Sequence, residues 1–338
     1  MSERVLVSGA AGFVGAHVVE RLLTVGYTVR GTVRDPTKAE HLRALPGASE
    51  RLELAPADLL EPDAFHPHVA GVDYVIHTAS PYVLNARDPQ RQLVDPAVRG
   101  TLSVLEAAAT NPRIKRVVLT SSMAAVTDEP DGRVLTEMDW NDRSSLTRNP
   151  YYFSKAEAER AAWRFAREAK PAWNLIAINP FLVIGPAHTQ ALNASNQVIA
   201  DLVRGRYPGV LALEWGFVDV RDVAEAHVRA LTAPDAQGRY ICAAETRSMR
   251  QVAEAVRRSG FEGANLPKLM LDSGPGTVMA RLMSHTQKPG VGSYLRTHLG
   301  KTPRFDDSKI RRDLGLAFRD VDQSILDTLH DLRRWGHA

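Results

Sequence analysis

The amino-acid sequence predicts an α/β fold, in which a doubly wound parallel sheet is followed by a smaller C-terminal region. Three observations support this prediction. In the first half of the 338 residues, short apolar runs rich in β-branched residues alternate with helical stretches. A cluster of glycines directly follows the first apolar run. After about residue 180, Gly-Pro pairs interrupt the alternation and separate shorter segments.

The alternation defines each element of the predicted sheet domain. The predicted strands are residues 5–7, 28–33, 52–54, 74–77, 117–119 and 175–178. The predicted helices between them are residues 13–24, 37–45, 62–69, 91–109 and 151–168. Two later helices are predicted over residues 218–231 and 321–335. Because connections between parallel strands are right-handed, these elements favour one sheet with helices on both faces.

Composition and charge limit the possible classes of protein. A content of 44% hydrophobic and 24% charged residues is typical of a globular protein. The N-terminal residues lack the apolar segment of a secretory signal, and no run of about 20 apolar residues predicts a membrane span. The single cysteine, Cys242, excludes an intramolecular disulfide and a multi-cysteine metal site and favours the cytoplasm. We expect no metal and, at a dispersed net charge of +3, no nucleic-acid partner.

The glycine cluster has the form of a phosphate-binding loop. Gly9, Gly12 and Gly15 follow the first predicted strand and open the first predicted helix with the spacing G-x-x-G-x-x-G. Glycine permits the tight turn and the close approach of backbone N–H groups to a pyrophosphate. Phe13 and Val14, at the start of the helix, would present further N–H groups to that anion.

This loop predicts that the sheet domain binds a dinucleotide. We expect a Rossmann domain over residues 1–183, with residues 217–240 packing back on it. The remaining residues, 184–216 and 241–338, are expected to form a smaller substrate-binding region.

The end of the second strand indicates which dinucleotide is bound. Arg34 lies 34 − 15 = 19 residues beyond Gly15, where an arginine accommodates the 2′-phosphate of NADP(H). Lys38 would add positive charge there or remain a solvated surface lysine. Asp35 leaves an alternative open, because an acidic residue at this strand end holds the ribose of NAD. The sequence favours NADP(H), since a guanidinium suits a phosphate.

Further cofactor contacts are predicted at the ends of the third and fourth strands. Asp58 and Leu59 would lie near the adenine, although Asp58 is equally suited to cap the following helix. Thr78, Ala79 and Ser80 end the fourth strand at the carboxyl edge of the sheet, which faces the cofactor in this type of fold.

Three residues form the candidate catalytic set. Ser122 follows the fifth strand, and Tyr151 and Lys155 begin a helix in the pattern Y-x-x-x-K. At positions i and i+4 the two side chains share one helix face, so the ammonium can lower the pKa of the phenol, which is ordinarily near 10. The phenol would then donate a proton to a developing alkoxide, and Ser122 would stabilise the charge on that oxygen.

Together with residues 179–186 and 219–227, these motifs resemble those of the extended short-chain dehydrogenases/reductases. The similarity is greatest to the branch of dihydroflavonol reductases, cinnamoyl-CoA reductases and microbial aldehyde or ketone reductases. It implies NADP(H), the same three catalytic residues, a small-molecule substrate and a monomer or homodimer. It also implies that Pro180 and Val183 lie beside the nicotinamide carboxamide and that Ser195 contacts the cofactor.

Two positions depart from the pattern of the family. Ala97 stands where many members carry an asparagine that supports a proton relay, so no fourth catalytic residue is predicted. Thr127 stands where flavonoid-reducing members bind their substrate with an asparagine. Thr127 remains a candidate substrate contact beside Ser122 and Tyr151, but the departure argues against a flavonoid substrate.

The sequence therefore predicts NADPH-dependent reduction of an aldehyde or ketone, reversible as alcohol oxidation, with tyrosine as the general acid. Two alternatives are an NAD(P)-dependent sugar-nucleotide epimerase or dehydratase and a non-catalytic NADP-sensing regulator. Arg34 argues against the first, and the presence of Tyr151 and Lys155 argues against the second. Phe181, Trp215 and Phe217 indicate an apolar or aromatic substrate unless they belong to the core.

Overall fold

The computed structural model describes residues 3–80 and 86–338 and contains a central seven-stranded parallel sheet. The strands are β1 (Arg4–Ser8), β2 (Thr28–Val33), β3 (Leu52–Pro56), β4 (Tyr74–His77), β5 (Arg116–Thr120), β6 (Val134–Leu135), β7 (Asn174–Pro180), β8 (Leu182–Ile184), β9 (Val210–Leu211), β10 (Glu214–Asp219), β11 (Gly238–Cys242), β12 (Glu245–Ser248), β13 (Met270–Leu271) and β14 (Arg304–Phe305). The central order is β3-β2-β1-β4-β5-β7-β11, which changes direction between β1 and β4. This parallel sheet confirms the predicted fold class. In sheets of this kind, ligands bind where the strand order changes direction.

Helices cover both faces of the sheet. They are α1 (Phe13–Thr24), α2 (Glu40–Arg43), α3 (Ala48–Arg51), α4 (Asp95–Ala109), α5 (Pro150–Ala169), α6 (Ala194–Val203), α7 (Val220–Thr232), α8 (Met249–Arg258), α9 (Gly274–Met283), α10 (Pro289–His298), α11 (Ser308–Leu314) and α12 (Val321–Arg334). Buried side chains of α1, α7 and α11 pack on one face, and those of α4 and α5 pack on the other. Across residues 3–80 and 86–338, none of the helices has both the length and the apolar character needed to cross a bilayer.

The C-terminal part of the chain has a hydrophobic core of its own. A three-stranded sheet, ordered β12-β10-β8, packs with α6, α8 and α12 around Phe217, Ile199 and Leu329. The strand β11 and the helix α11 nevertheless belong to the central sheet and its core, with Ile310 and Leu314 fully or almost fully buried there. The separation of a substrate-binding region from the sheet domain remains a prediction.

Three predicted helices were wrong in extent. The segment 37–45 contains a 3₁₀ turn and the single turn of α2, because Asp35 caps Thr37 and closes the short turn. The segment 62–69 forms only a 3₁₀ turn at its end, because Pro67 has no N–H to continue a helix. The residues from 218 to 219 belong to β10, and Asp219 caps the helix that follows.

A buried carboxylate joins α5 to the neighbouring strands. Glu159 on α5 is 1% exposed. Its oxygens accept hydrogen bonds from four side chains, namely Ser121 at 2.5 Å, Trp163 at 3.1 Å, Asn179 at 2.8 Å and Arg239 at 2.6 Å. These residues lie at or beside β5, α5, β7 and β11, so one ionised group links four elements. A buried charge of this kind is tolerated because it is paired and hydrogen-bonded.

Replacing Arg239 by alanine is expected to lower the free energy of unfolding by about 3–5 kcal/mol, because Glu159 would remain buried without its cation. Urea unfolding followed by circular dichroism measures the change. Arg133→Ala is the matched control, since Arg133 pairs with Asp131 at the surface and its side chain is 64% exposed. That control should change the free energy by less than about 1 kcal/mol. Equal effects of the two substitutions would contradict a structural role for the buried pair.

Candidate active site

The glycine loop is held close to the end of β4. Gly9 has a φ of +70°, and a Cβ at this position would lie 2.8 Å from the backbone of Ala79. A Cβ on Gly15 would overlap the carbonyl oxygen of Gly9 and approach Thr78 Oγ1 to 2.9 Å. The Thr78 hydroxyl donates a hydrogen bond to the carbonyl oxygen of Ser8 at 2.7 Å. Two of the three predicted glycines are therefore required by the close contact between the loop and β4.

The start of α1 can accept an anion. Gly12 precedes the helix, and its N–H donates to the carbonyl oxygen of Gly9 at 2.9 Å. No described side chain caps this helix start, and its first turn contains no acidic residue. The N–H groups at Phe13 and Val14 therefore lie where a pyrophosphate would be favoured by the helix dipole and by unsatisfied donors.

Arg34 and Asp35 have different surroundings at the end of β2. The Asp35 carboxylate accepts hydrogen bonds from the hydroxyl and the N–H of Thr37, at 2.6 and 3.0 Å. These bonds hold the pKa of Asp35 below its usual value. Lys38 Nζ lies 3.4 Å from the same carboxylate, and its side chain is 84% exposed. Arg34 is exposed and forms no ion pair with any of the residues described, so its guanidinium is available to a phosphate.

The other predicted cofactor residues lie along or near the carboxyl edge of the sheet. Asp58 Oδ1 accepts a hydrogen bond from the N–H of Leu60 at 2.9 Å, so this carboxylate closes a turn after β3. Leu59 lies against Gly100 of α4. The remaining positions are the end of β7 at Pro180, the middle of β8 at Val183 and the first turn of α6 at Ser195.

The candidate catalytic residues come from β5 and α5. Ser122 follows β5, and its Oγ accepts a hydrogen bond from the N–H of Ala124 at 3.1 Å. This leaves the Ser122 proton available for donation. Lys155 Nζ donates to Ser80 Oγ at 3.0 Å and lies 5.9 Å from the centre of the Tyr151 ring. The structure thus brings the start of α5 together with the end of β4.

Burial changes the ionisation of Lys155. Removal of the ammonium from water lowers the pKa of Lys155 to about 8. His77, at the end of β4, is also buried, and burial lowers its pKa to about 3. The Ser8 hydroxyl lies 2.6 Å from Nδ1 of this neutral histidine, which places His77 in the structural support of the glycine loop.

Of the residues predicted to contact or indicate a substrate, some are half-buried and others belong to the hydrophobic core. Thr127 is half-buried, and its hydroxyl donates to the carbonyl oxygen of Glu129 at 2.8 Å. Trp215 and Phe217 are buried in the C-terminal core, so they belong to that core. Phe181 is half-buried. The sequence also predicts that residues 80–84 line the substrate pocket, and of these only Ser80 lies within the described residues.

Sequence reasoning missed the residues that fix the start of α5. Asn149 has a φ of +49° and precedes Pro150 at the first helical position. Its side-chain amide donates to Asp128 at 2.7 Å and to Thr297 at 3.1 Å, and its backbone N–H donates to Ser293. An Asn-Pro pair is a sequence signal for such a helix start. Its partners on α10 had no local signal.

Comparisons with known proteins agree with this geometry. A model of the NAD dependent epimerase/dehydratase family matches residues 5–243. Cinnamoyl-CoA reductase 1 of Arabidopsis thaliana is 37% identical over 340 residues, which cover 98% of this chain and 90% of that protein. Ketoreductase azaE of Aspergillus niger is 33% identical, with 97% of each chain covered. The yeast methylglyoxal/isovaleraldehyde reductase Gre2, solved with NADPH, has a TM-score of 0.81 at 29% identity and covers 99% of this chain and 100% of its own.

The extent of these matches identifies the family. The family model spans more than half of the chain, and both reductases align along nearly their whole length. The resemblance inferred from the glycine loop, Ser122, Tyr151 and Lys155 is therefore confirmed. The chain belongs to the NAD dependent epimerase/dehydratase family, the extended short-chain dehydrogenases/reductases, in the branch that contains the cinnamoyl-CoA reductases.

Proposed function

We propose that this protein is an NADPH-dependent reductase of aldehydes or ketones in which Tyr151 is the general acid. The observation that carries the proposal is the position of Lys155, which lies 3.0 Å from Ser80 at the cofactor edge and 5.9 Å from the centre of the Tyr151 ring. The ammonium is thereby close both to the phenol and to the edge of the sheet where a dinucleotide binds.

Each catalytic side chain has a defined task in this proposal. Bound NADPH would supply the hydride. Tyr151 donates its phenolic proton to the oxygen on which negative charge develops, and Lys155 favours that transfer by stabilising the phenolate. Ser122 donates a hydrogen bond to the same oxygen, because its own Oγ already accepts from Ala124. The chemistry requires no metal ligand and no fourth residue, in agreement with the buried Ala97 on α4.

NADPH is favoured over NADH by the end of β2. Asp35 is engaged by Thr37, whereas Arg34 is exposed and presents a guanidinium without a carboxylate partner among the described residues. The yeast reductase that matches this chain was solved with NADPH. Lys38 would add a second positive charge, although its 84% exposure gives it a smaller effect.

A carbonyl substrate is favoured over a sugar nucleotide. The names of the matching relatives describe reductases of cinnamoyl-CoA, of ketones or of small aldehydes. These relatives align with the C-terminal region as well as with the sheet domain. The cinnamoyl and isovaleraldehyde groups in the names of these relatives are aromatic or apolar. We therefore propose an apolar or aromatic carbonyl compound as the substrate class, bound beside Ser122, Thr127 and Tyr151.

Tyr151→Phe is expected to lower kcat by at least about 100-fold, because general acid catalysis contributes about 10²–10⁴-fold and phenylalanine has no proton to give. The measurement is oxidation of NADPH in the presence of cinnamoyl-CoA, methylglyoxal, aromatic aldehydes and β-keto esters. Tyr152→Phe, the same change at the next helix position, should retain most of the activity. Comparable activity of wild type and Tyr151→Phe on every accepted substrate would refute the mechanism.

Arg34→Ala is expected to raise KM for NADPH about 10–100-fold and to leave NADH almost unaffected, because charge-assisted hydrogen bonds contribute about 1.5–3 kcal/mol each. Initial rates with each cofactor measure the change. Arg43→Ala, an exposed arginine on α2, is the control and should leave both KM values unchanged. If wild type preferred NADH and Asp35→Asn abolished that preference, Asp35 would be the ribose ligand and the cofactor assignment would be wrong.

The reaction is also expected to depend on the ionisation of Lys155. Its pKa is lowered to about 8, so the ammonium is present below that pH and is lost as the pH rises through it. We expect kcat/KM for NADPH, which reports the free enzyme, to fall above about pH 8. Lys155→Arg stays protonated and should move the falling limb to higher pH. Identical limbs in the two proteins would show that another group controls the decline.

A further inference from the structure

A cluster of three side chains lies outside the proposed active site, between α1 and the loop that joins β8 to α6. His17 and Glu20 are one turn apart on α1, and His188 lies in the loop. One nitrogen or oxygen of each side chain lies within 4.8 Å of those of the other two. Glu20 Oε2 is 3.5 Å from His17 Nδ1 and 3.2 Å from His188 Nε2. The cluster joins segments that are far apart in the sequence.

The tautomer of His17 is fixed by its second contact. His17 Nε2 lies 2.9 Å from the carbonyl oxygen of Pro186, which can only accept a hydrogen bond. Nε2 therefore carries the proton, and Nδ1 of a neutral imidazole presents a lone pair to the Glu20 carboxylate. Two lone pairs facing each other repel unless a proton or a metal ion lies between them. Metal-binding histidines have the same arrangement, with the outer nitrogen donating to a carbonyl and the inner one facing the ion.

His188 supplies a second nitrogen to the same point. Its Nε2 is shielded from solvent and has no hydrogen-bond partner in the described part of the chain. The 3.2 Å approach to Glu20 Oε2 therefore brings an unsatisfied nitrogen against a carboxylate oxygen. The ring centres of His17 and His188 are 4.4 Å apart, so both imidazoles lie on the same side of Glu20.

The distances fit a tetrahedral metal ion. Zinc lies about 2.0–2.2 Å from nitrogen and oxygen ligands, which separates neighbouring ligand atoms by about 3.3–3.5 Å at the tetrahedral angle. Two of the three separations, those of His17 Nδ1 and His188 Nε2 from Glu20 Oε2, are 3.5 and 3.2 Å and fall at or close to this range, and the third, between the two nitrogens, is within 4.8 Å. Imidazole is a ligand of zinc and related transition ions, and it is not a ligand that magnesium or calcium favours.

We propose that His17, Glu20 and His188 form a binding site for a divalent transition-metal ion of the zinc type. The ligand atoms are His17 Nδ1, Glu20 Oε2 and His188 Nε2, and water completes the tetrahedron. A surface cavity of about 570 Å³ lies beside the cluster and is lined in part by His17 and Glu20. The site would fasten the loop to α1, and it takes no part in the proposed hydride transfer.

Metal binding to the full-length, tag-free protein tests the site directly. After treatment with EDTA and removal of the chelator, the protein is titrated with Zn²⁺ by calorimetry and with Co²⁺ by visible absorption. We expect one equivalent of Zn²⁺ to bind and the Co²⁺ spectrum to show tetrahedral coordination. Bound Zn²⁺ should also raise Tm, because ligands of the native state stabilise it.

Variants separate this site from other histidines. His188→Asn and Glu20→Gln alter side chains that are 21% and 39% exposed, so both proteins should fold. Each should weaken Zn²⁺ binding by at least about 100-fold. Loss of a group that only hydrogen-bonds a metal ligand already lowers affinity by up to about 100-fold, and these variants remove a ligand itself. His330→Asn, an exposed histidine on α12, should bind like wild type. Absence of stoichiometric binding to wild type, or unchanged affinity in folded His188→Asn, would overturn the proposal, whatever the outcome for reductase activity.

Discussion

The buried ion pair between Glu159 and Arg239 is the interaction on which the position of the candidate catalytic helix depends. Apolar packing alone would allow α5 to shift along the sheet, because hydrophobic burial has little directional preference. A carboxylate without access to water has no such freedom. It must meet its donors at hydrogen-bond distance, and those donors are on β7, on β11 and just after β5. The pair therefore fixes both the rotation and the axial position of α5.

One face of α5 contains both proposed catalytic residues and a residue with a structural role, within about two turns. Tyr151, Lys155 and Glu159 are spaced four residues apart, so they lie on one stripe of α5. Lys155 contacts Ser80 at the carboxyl edge of the sheet, whereas Glu159 is buried beneath it. Asn149 fixes the start of α5 through its left-handed backbone and its buried amide. The proposed general acid thus lies between two fixed positions, the start of α5 and its middle.

The sequence predicted those features that depend on local pattern. Six of the seven central strands, the glycine loop and the Y-x-x-x-K helix each occupy a short segment with a recognisable periodicity or spacing, whereas β11 was not predicted. The bounds of α1 were predicted without error, since its apolar stripe is regular and its N-terminus follows a glycine. The prediction of a helix over residues 62–69 was wrong because Pro67 lies inside the segment, where a proline removes a hydrogen-bond donor.

Features that depend on contacts between distant segments had no such signal. Glu159 and Arg239 are 80 residues apart, and Asn149 and Thr297 are 148 residues apart. Nothing in the neighbourhood of either residue in the chain identifies its partner. A buried glutamate on the catalytic stripe of α5 could have been suspected from its spacing. Arg239, the cation that pairs with this glutamate, could not have been predicted, because a single arginine on a strand is ordinarily expected to be exposed.

The two kinds of feature are under different physical constraints. The proposed hydride transfer limits the residue types at Ser122, Tyr151 and Lys155, because few side chains supply those protons and charges, and close backbone contacts limit Gly9 and Gly15. The contacts that join the C-terminal region to the sheet domain need only sufficient strength, so the hydrogen bonds of Asn149 and the proposed metal ion at His188 are alternative means to the same end. Such contacts can therefore differ among proteins that share the proposed catalytic set.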